Sequence, residues 1–217
     1  MTYQDNRPSK LFMSKEGYDK YASLYDGKLA FLDTFEQGMM GKIIGDVSEK
    51  KVLDVGCGTG RLIRKLVDKG AIVTGADISP EMLKIAKKKF DKVEFIEGDI
   101  EHLPFEDESF DMVIATFVIV HLKDLRKAFD EVYRVLKPGG SFIVTNVNQR
   151  KAPKLKTSAK EEIVILSYYH IPDHVISALK DALFNVEEEE FINENAIWIN
   201  QIVKAVKAGV VGQRGLS

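Results

Sequence analysis

Val52-Leu53-Asp54-Val55-Gly56-Cys57-Gly58-Thr59-Gly60 is the stretch on which the reading of this chain turns. An apolar run ends in an acidic residue, alternate glycines follow, and Leu62, Ile63, Leu66 and Val67 then recur at helical spacing up to Gly70. The pattern predicts a buried strand, a tight glycine turn and a helix. Glycine at such a turn lets the backbone bend sharply and lets a ligand approach the main chain without a Cβ in between. In an open α/β sheet the ligand crevice lies at the carboxyl ends of the strands, where this loop falls.

Charge then discriminates between ligands. A dinucleotide loop has glycine or alanine three residues after its second glycine, and here that residue is Arg61. A pyrophosphate would also meet Asp54, which closes the strand. A cationic ligand such as a sulfonium reverses that preference, because a carboxylate attracts it directly or through water. Asp77 ends the next expected strand, where it can accept ribose hydroxyls or cap the turn before Ser79-Pro80. Asp99, in Gly98-Asp99-Ile100, has the same two readings, with an adenine amino group as its ligand. Carboxylates at the ends of successive strands make together a pattern that none makes alone.

Outward from the loop, strands are predicted at 51–55, 71–76, 92–96, 110–116 and 141–147, rich in Val, Ile and Leu. Between them, Ser79-Pro80 opens a helix, and Leu125, Ala128, Phe129, Val132, Tyr133 and Leu136 form an apolar stripe that Lys137-Pro138-Gly139-Gly140 stops. Such alternation predicts a parallel sheet with helices on both faces. The tail reads as a helix over 172–183, with Val175, Ile176, Leu179 and Leu183 on one side. Strands at 184–192 and 196–206 follow, so closely joined by Asn193-Glu194-Asn195 that they pair antiparallel. With no internal repeat or linker, residues 1–217 read as one domain: a helical N-terminal cap over 1–45 and a doubly wound α/β core over 46–217.

The composition is that of a globular protein, with 45% hydrophobic and 29% charged residues. A net charge of −2 gives no global pull toward nucleic acid or anionic membrane. With Cys57 the only cysteine, neither an intrachain disulfide nor a multi-cysteine zinc site can form, and no metal is expected. The longest apolar stretch, 112–120, falls well short of the roughly 20 residues of a membrane span. The opening MTYQDNRPSK lacks the apolar core of a signal peptide, so the expected compartment is the cytoplasm.

VLDVGCGTG (52–60), GADISPEML (75–83), FIEGDIEHLPFEDESFDMVIA (95–115) and LRKAFDEVYRVLKPGG (125–140) together resemble the class I S-adenosylmethionine-dependent methyltransferases. Within these they resemble the ubiquinone/menaquinone-biosynthesis type of methyltransferase domain. The resemblance implies a Rossmann-like seven-stranded sheet of order 3-2-1-4-5-7-6 with strand 7 antiparallel. It implies S-adenosylmethionine as cofactor and S-adenosylhomocysteine as product. Position by position, it puts Gly56, Cys57, Gly58 and Gly60 along the methionine moiety, with Asp54 near its ammonium. Asp77 would hold the ribose, Asp99 the adenine amino group, and Ile78, Ile100 and Leu103 the ring, with Thr116 approaching the methionyl part. YDKYASLYDG (18–27) resembles the family's aromatic helix that closes over the cofactor, which makes Tyr18 and Tyr25 candidate pocket residues, although the segment could equally pack as core. The family's glycine before the sixth strand is replaced by Ala182-Leu183-Phe184, a run that would lengthen the preceding helix.

For the acceptor side, His121, just after the fourth strand, and His170 are the candidate general bases, His121 the preferred one, with a wall or capping role as the alternative for each. Tyr169 and His170 are further pocket candidates, and His102 reads as structural. Ala115-Thr116-Phe117 stands where an Asn/Asp-Pro-Pro-aromatic motif would serve adenine or glutamine methylation, and with the only cysteine, Cys57, in the glycine loop no nucleophilic thiol is available for pyrimidine chemistry. No acidic cluster there points to metal-dependent catechol chemistry. A small-molecule acceptor is therefore preferred. RNA or protein methylation and a catalytically silent S-adenosylmethionine-binding module are the alternatives, while Arg61 and Asp54 disfavour a nicotinamide oxidoreductase. The stretch 149–160 carries Arg150, Lys151, Lys154, Lys156 and Lys160 without an acid or a stacking aromatic. It reads as a solvated loop, not an RNA surface. The expected assembly is a monomer or a homodimer.

Overall fold

The computed structural model describes residues 10–209. The opening stretch read above for a signal peptide lies, but for Lys10, outside the described residues. The chain runs through β1 (Lys10–Phe12), α1 (Ser14–Tyr25), a 3₁₀ turn (Asp26–Lys28), α2 (Leu29–Thr34), α3 (Met39–Ile44), β2 (Lys51–Val55), α4 (Ile63–Asp68) and β3 (Ile72–Asp77). It continues through α5 (Pro80–Lys89), β4 (Glu94–Glu97), β5 (Phe110–Ala115), a second 3₁₀ turn (Ile119–His121), α6 (Arg126–Val135) and β6 (Leu136–Val147). A hairpin, β7 (Lys154–Lys156) and β8 (Glu162–Ile165), precedes α7 (Pro172–Asp181), β9 (Phe184–Glu194) and β10 (Ile197–Lys207).

The main sheet has seven strands in the order β4-β3-β2-β5-β6-β10-β9. β10 pairs antiparallel with both neighbours and the remaining pairs are parallel. Counted along this sheet alone, the order is 3-2-1-4-5-7-6, as the resemblance implies. Alternation along the strands builds a core on each face. Leu53, Val55, Val113, Phe142 and Val144 pack with Phe129 and Val132 of α6 and Leu179 of α7. Val52, Met112, Ile114 and Ile143 pack on the other face with Met40 and Ile44 of α3, Leu66 of α4 and Leu83 of α5.

Local differences from the sequence reading have physical reasons. The helix after the glycine loop starts only at Ile63 and is short, and Val67, expected on its buried face, is half exposed. β6 is registered from Leu136, with Lys137-Pro138-Gly139-Gly140 looping out between the pairs Phe110–Leu136 and Met112–Ser141. α7 stops at Asp181, and Leu183 adopts φ +65° with its side chain 69% exposed, so it neither extends the helix nor joins the apolar stripe. That φ is the left-handed terminator in which a glycine costs least. Asn195 and Ala196, both at positive φ, make the β9–β10 turn, one residue later than expected.

The segment read as a solvated loop instead folds. β7 and β8 form an antiparallel pair, and β1 joins β8 in parallel, Lys10 opposite Ile163 and Phe12 opposite Ile165. Ile163 and Ile165 are buried, the side of β8 that faces α1, where a Cβ on Gly17 would lie 2.6 Å from Ile165. The small sheet thereby joins the N-terminal cap to the segment after β6.

Candidate active site

The glycine loop is held by the ends of two neighbouring strands. Gly56 N and Cys57 N donate to Ala76 O at 2.7 and 3.0 Å, and Gly58 N donates to Asp77 Oδ2 at 2.8 Å. The other Asp77 oxygen accepts from Ser79 N at 2.8 Å, so this carboxylate also organises the start of α5. Gly56 has φ +68°, and a Cβ there would lie 2.3 Å from Val118. Only glycine serves that position. Asp54 and Asp77 are both buried. Burial pushes Asp54 up to about 7, against the attraction of Arg61. It pushes Asp77 up to about 6, against the backbone donors of Ser79 and Gly58.

The N-terminal cap is fastened down around this loop by acidic side chains. Ser79 Oγ donates to Asp19 Oδ1 at 2.6 Å, and Thr59 Oγ1 and Lys89 Nζ both reach Asp26 Oδ1, at 2.6 and 2.8 Å. Arg61, read from sequence only as a mismatch with a dinucleotide loop, donates to Glu36 through both Nη atoms and to Asp33 at 2.9 Å. Its Nη2 also reaches Thr116 Oγ1 at 3.2 Å, and its plane lies over the Phe117 ring. Phe117 itself is at φ +61°, a strained conformation for a bulky residue, with its N–H donating to Thr145 Oγ1.

A cavity opens on the loop beneath α1. Of the residues singled out in the sequence, Gly56, Gly58, Asp77, Ile78, Asp99, Ile100, Thr116, Tyr18, Tyr25 and His121 line it. Asp54, Cys57, Gly60 and Leu103 are buried and are not among its lining residues. Gly60 instead makes room for the Phe90 ring, 2.6 Å from where its Cβ would be, and Cys57 is buried with its thiol pushed up by burial. Asp99 also caps its own turn, accepting from Glu101 N at 3.0 Å. Phe117, Val118 and Met82, which the sequence reading did not place in the site, line it too, with Ser14, Val55, Gly98 and Leu122.

The Tyr18 hydroxyl lies 2.8 Å from His121 Nε2, and His121 Nδ1 lies 2.8 Å from the Leu166 carbonyl. A carbonyl only accepts, so Nδ1 carries the proton and Nε2 receives one from Tyr18. Burial holds His121 below its ordinary value and pushes the Tyr18 phenol well above its own. His170 and Tyr169 do not join them. His170 is buried with Nε2 toward the carbonyls of Ile119 and Leu122, at 3.1 and 2.9 Å, and lines neither this cavity nor the next. Tyr169 is covered by Arg150 and leans on Trp198, so both pocket expectations give way to scaffold contacts.

A second cavity of about 540 Å³ adjoins the first, and Tyr18, Tyr25, Phe117 and His121 line both. Its remaining wall is aromatic and aliphatic, with Tyr21, Phe31, Phe35 and Leu155, and Lys28, Arg150, Lys151 and Lys154 line it too.

A seven-stranded sheet of this order with a glycine loop at the end of its central strand defines a class, and residues 53–144 match the family described as a methyltransferase domain. By this domain and by its sheet order the chain has the fold of the class I, S-adenosylmethionine-dependent methyltransferases. The demethylmenaquinone methyltransferase of Chlorobaculum tepidum is 47% identical over 106 residues, 48% of this chain and 44% of that protein. The PH0226 protein of Pyrococcus horikoshii superposes with a TM-score of 0.66 at 30% identity, over 82% of this chain and 90% of that one. An S-adenosylmethionine-dependent methyltransferase from Mesorhizobium loti shares the fold, with a TM-score of 0.68 at 18% identity over 80% and 98% of the two chains. The chain spans about half the length of the curated relatives it matches. Among the described residues no helix is long and apolar enough to cross a membrane.

Proposed function

We propose that the cap and core act as one domain that moves a methyl group from S-adenosylmethionine to a small-molecule acceptor, with Tyr18 and His121 taking up the acceptor's proton. The observation that carries this is the shared wall: the glycine-loop cavity and the aromatic cavity meet at Tyr18, Tyr25, Phe117 and His121. The first cavity suits the cofactor chemically. Among the described residues Asp77 and Asp99 line it and no lysine or arginine does, which favours a cationic ligand bearing hydroxyls over a pyrophosphate.

When bound, S-adenosylmethionine supplies an electrophilic methyl group on a cationic sulfur. Asp77 then has ribose hydroxyls to accept, and Asp54, buried just before the loop, stabilises positive charge once ionised. Tyr18 and Phe117 orient the acceptor and keep water out. An acceptor hydroxyl or amine against the Tyr18 oxygen gives its proton to that oxygen as the Tyr18 proton passes to His121 Nε2. The Leu166 carbonyl keeps Nε2 the open nitrogen, and burial keeps the ring neutral and ready at neutral pH. The resulting imidazolium, disfavoured by burial, releases its proton when product leaves. The name of the Chlorobaculum relative points to a quinone-type ring as its acceptor. A cavity of about 540 Å³ is of the size that takes such a molecule.

The test is formation of S-adenosylhomocysteine, followed by mass spectrometry, against a panel of quinols, phenols and amines. His121→Ala and Tyr18→Phe should each lower kcat by about 10²-fold while cofactor affinity stays near wild type. Tight cofactor binding with no turnover on any panel member would favour the silent module. A change confined to acceptor KM would make the pair a wall.

A further inference from the structure

The two adjoining cavities are opposite in charge. Among the described residues the glycine-loop cavity is lined by Asp77 and Asp99 and by no lysine or arginine, and the second cavity by Lys28, Arg150, Lys151 and Lys154 and by no carboxylate. This segregation occurs in a chain whose net charge is −2. Residues far apart in sequence produce it: Lys28 ends the 3₁₀ turn after α1, while the other cations come from the segment after β6 and from β7. The small sheet that joins β1 to the β7–β8 hairpin brings them to one opening.

These cations are not equally committed. Lys154 pairs with Glu162 at 2.8 Å, and the Arg150 guanidinium stacks on Tyr169. Lys28 and Lys151 make no ion pair among the described residues. Cations gathered at the mouth of a low-dielectric, aromatic-walled cavity focus their field into it. An apolar neutral acceptor would leave that field unused. An acceptor with an anionic group would satisfy it while its ring lay between Phe31, Phe35 and Phe117.

Resting on the methyl-transfer reading above, we infer that the acceptor is an amphipathic anion: an aromatic or other apolar body, methylated at the Tyr18 end, that carries a carboxylate or phosphate held by Lys28 and Lys151. The cofactor cavity and the acceptor cavity would then each select their ligand by the opposite sign of charge.

Fluorescence titration of the full chain, loaded with S-adenosylhomocysteine, tests this with 2-naphthol, 3-hydroxy-2-naphthoate and 2-naphthyl phosphate. These probes share a ring system and differ in charge, and the last two separate carboxylate from phosphate recognition. At least one anion should bind about tenfold or more tighter than 2-naphthol at low salt, and the advantage should shrink as salt screens it. Lys28→Gln with Lys151→Gln should remove the advantage. Lys87→Gln with Lys88→Gln, on the exposed side of α5, should keep it. Equal affinity for neutral and anionic probes would overturn the inference, as would a preference that survives the Lys28/Lys151 change or no binding of any probe by the loaded protein. Loading itself, measured by calorimetry, reports on the cofactor reading, so the two ideas fail separately.

Discussion

Glu36 lies buried against Arg61 and accepts from both of its Nη atoms, so an ion pair sealed from water joins the cap to the glycine loop. Removing one partner of a buried pair leaves the other charge uncompensated, at about 3–5 kcal/mol. Glu36→Ala should therefore lower stability by roughly that amount in urea unfolding. Asp33 contacts the same guanidinium but is 56% exposed. Asp33→Ala should cost no more than about 1 kcal/mol. Equal losses in the two variants would show that the cap is not anchored at Glu36.

Asp77 has work on both sides of the cavity wall, accepting Gly58 N and Ser79 N while facing the cavity. Asp77→Asn keeps the size but turns one oxygen into a donor opposite a backbone N–H. The loop should loosen and S-adenosylmethionine should bind at least about tenfold more weakly, a loss of roughly 1.4 kcal/mol. Titration calorimetry reads this directly, with circular dichroism confirming the fold. Unchanged affinity would remove Asp77 from the cofactor site.

The raised carboxylates set a pH dependence. Asp54 and Asp77 keep protons in the folded chain to about 7 and about 6, against an ordinary value of 3.8. Their contribution to stability is present at low pH and is lost as pH rises through 6 to 7, where the chain must carry buried charge. His121, held below its ordinary 6.5, acts in the opposite sense, its contribution being lost as pH falls below that value. A cationic ligand repairs the carboxylate deficit. The rise in Tm on adding S-adenosylmethionine should be larger at pH 8 than at pH 5.5, and Asp54→Asn should reduce the difference. A shift that is flat across pH in the wild type would exclude these groups from cofactor binding.

Leu183 offers a stabilising change far from the site. It sits at φ +65° and is 69% exposed, so it carries backbone strain while burying little. A left-handed conformation costs a non-glycine residue about 1–2 kcal/mol, partly offset in glycine by its freer unfolded chain. Leu183→Gly should raise stability by about 0.5–1 kcal/mol with unchanged turnover. A destabilised variant in thermal or urea unfolding would mean that the side chain contributes contacts that outweigh the strain.

The core was legible in the sequence where long apolar runs and glycines speak for themselves. The strands near 51–55 and 110–115 follow from their apolar runs and the loop from Gly56 and Gly58, while the order of the sheet came from the family resemblance. What was not legible depends on partners distant along the chain. Arg61 shows its role only once the cap brings Glu36 to it. β1 and β7 are too short for any periodicity to announce, and they exist because β8 offers them an edge. His121 and His170 look alike as sequence. The Leu166 carbonyl and Tyr18 aim one at the cavities, while two backbone carbonyls turn the other into the scaffold.

The parallel pairing of β1 with β8 also fixes when the site comes into being. Lys10 leaves the ribosome before β2 through β6 are made, and its partner Ile163 follows only after them. Synthesis at about 5–20 residues per second separates the two by roughly 8–30 s. Through that interval the growing sheet can bury its inner strands while the cap waits without an edge to join. The second cavity, whose wall runs on to Leu155 and Ile165, is thus finished late, after the glycine-loop cavity, whose lining ends at Leu122. Damage to β1 or β8 should yield a chain that accumulates in normal amounts and does no chemistry.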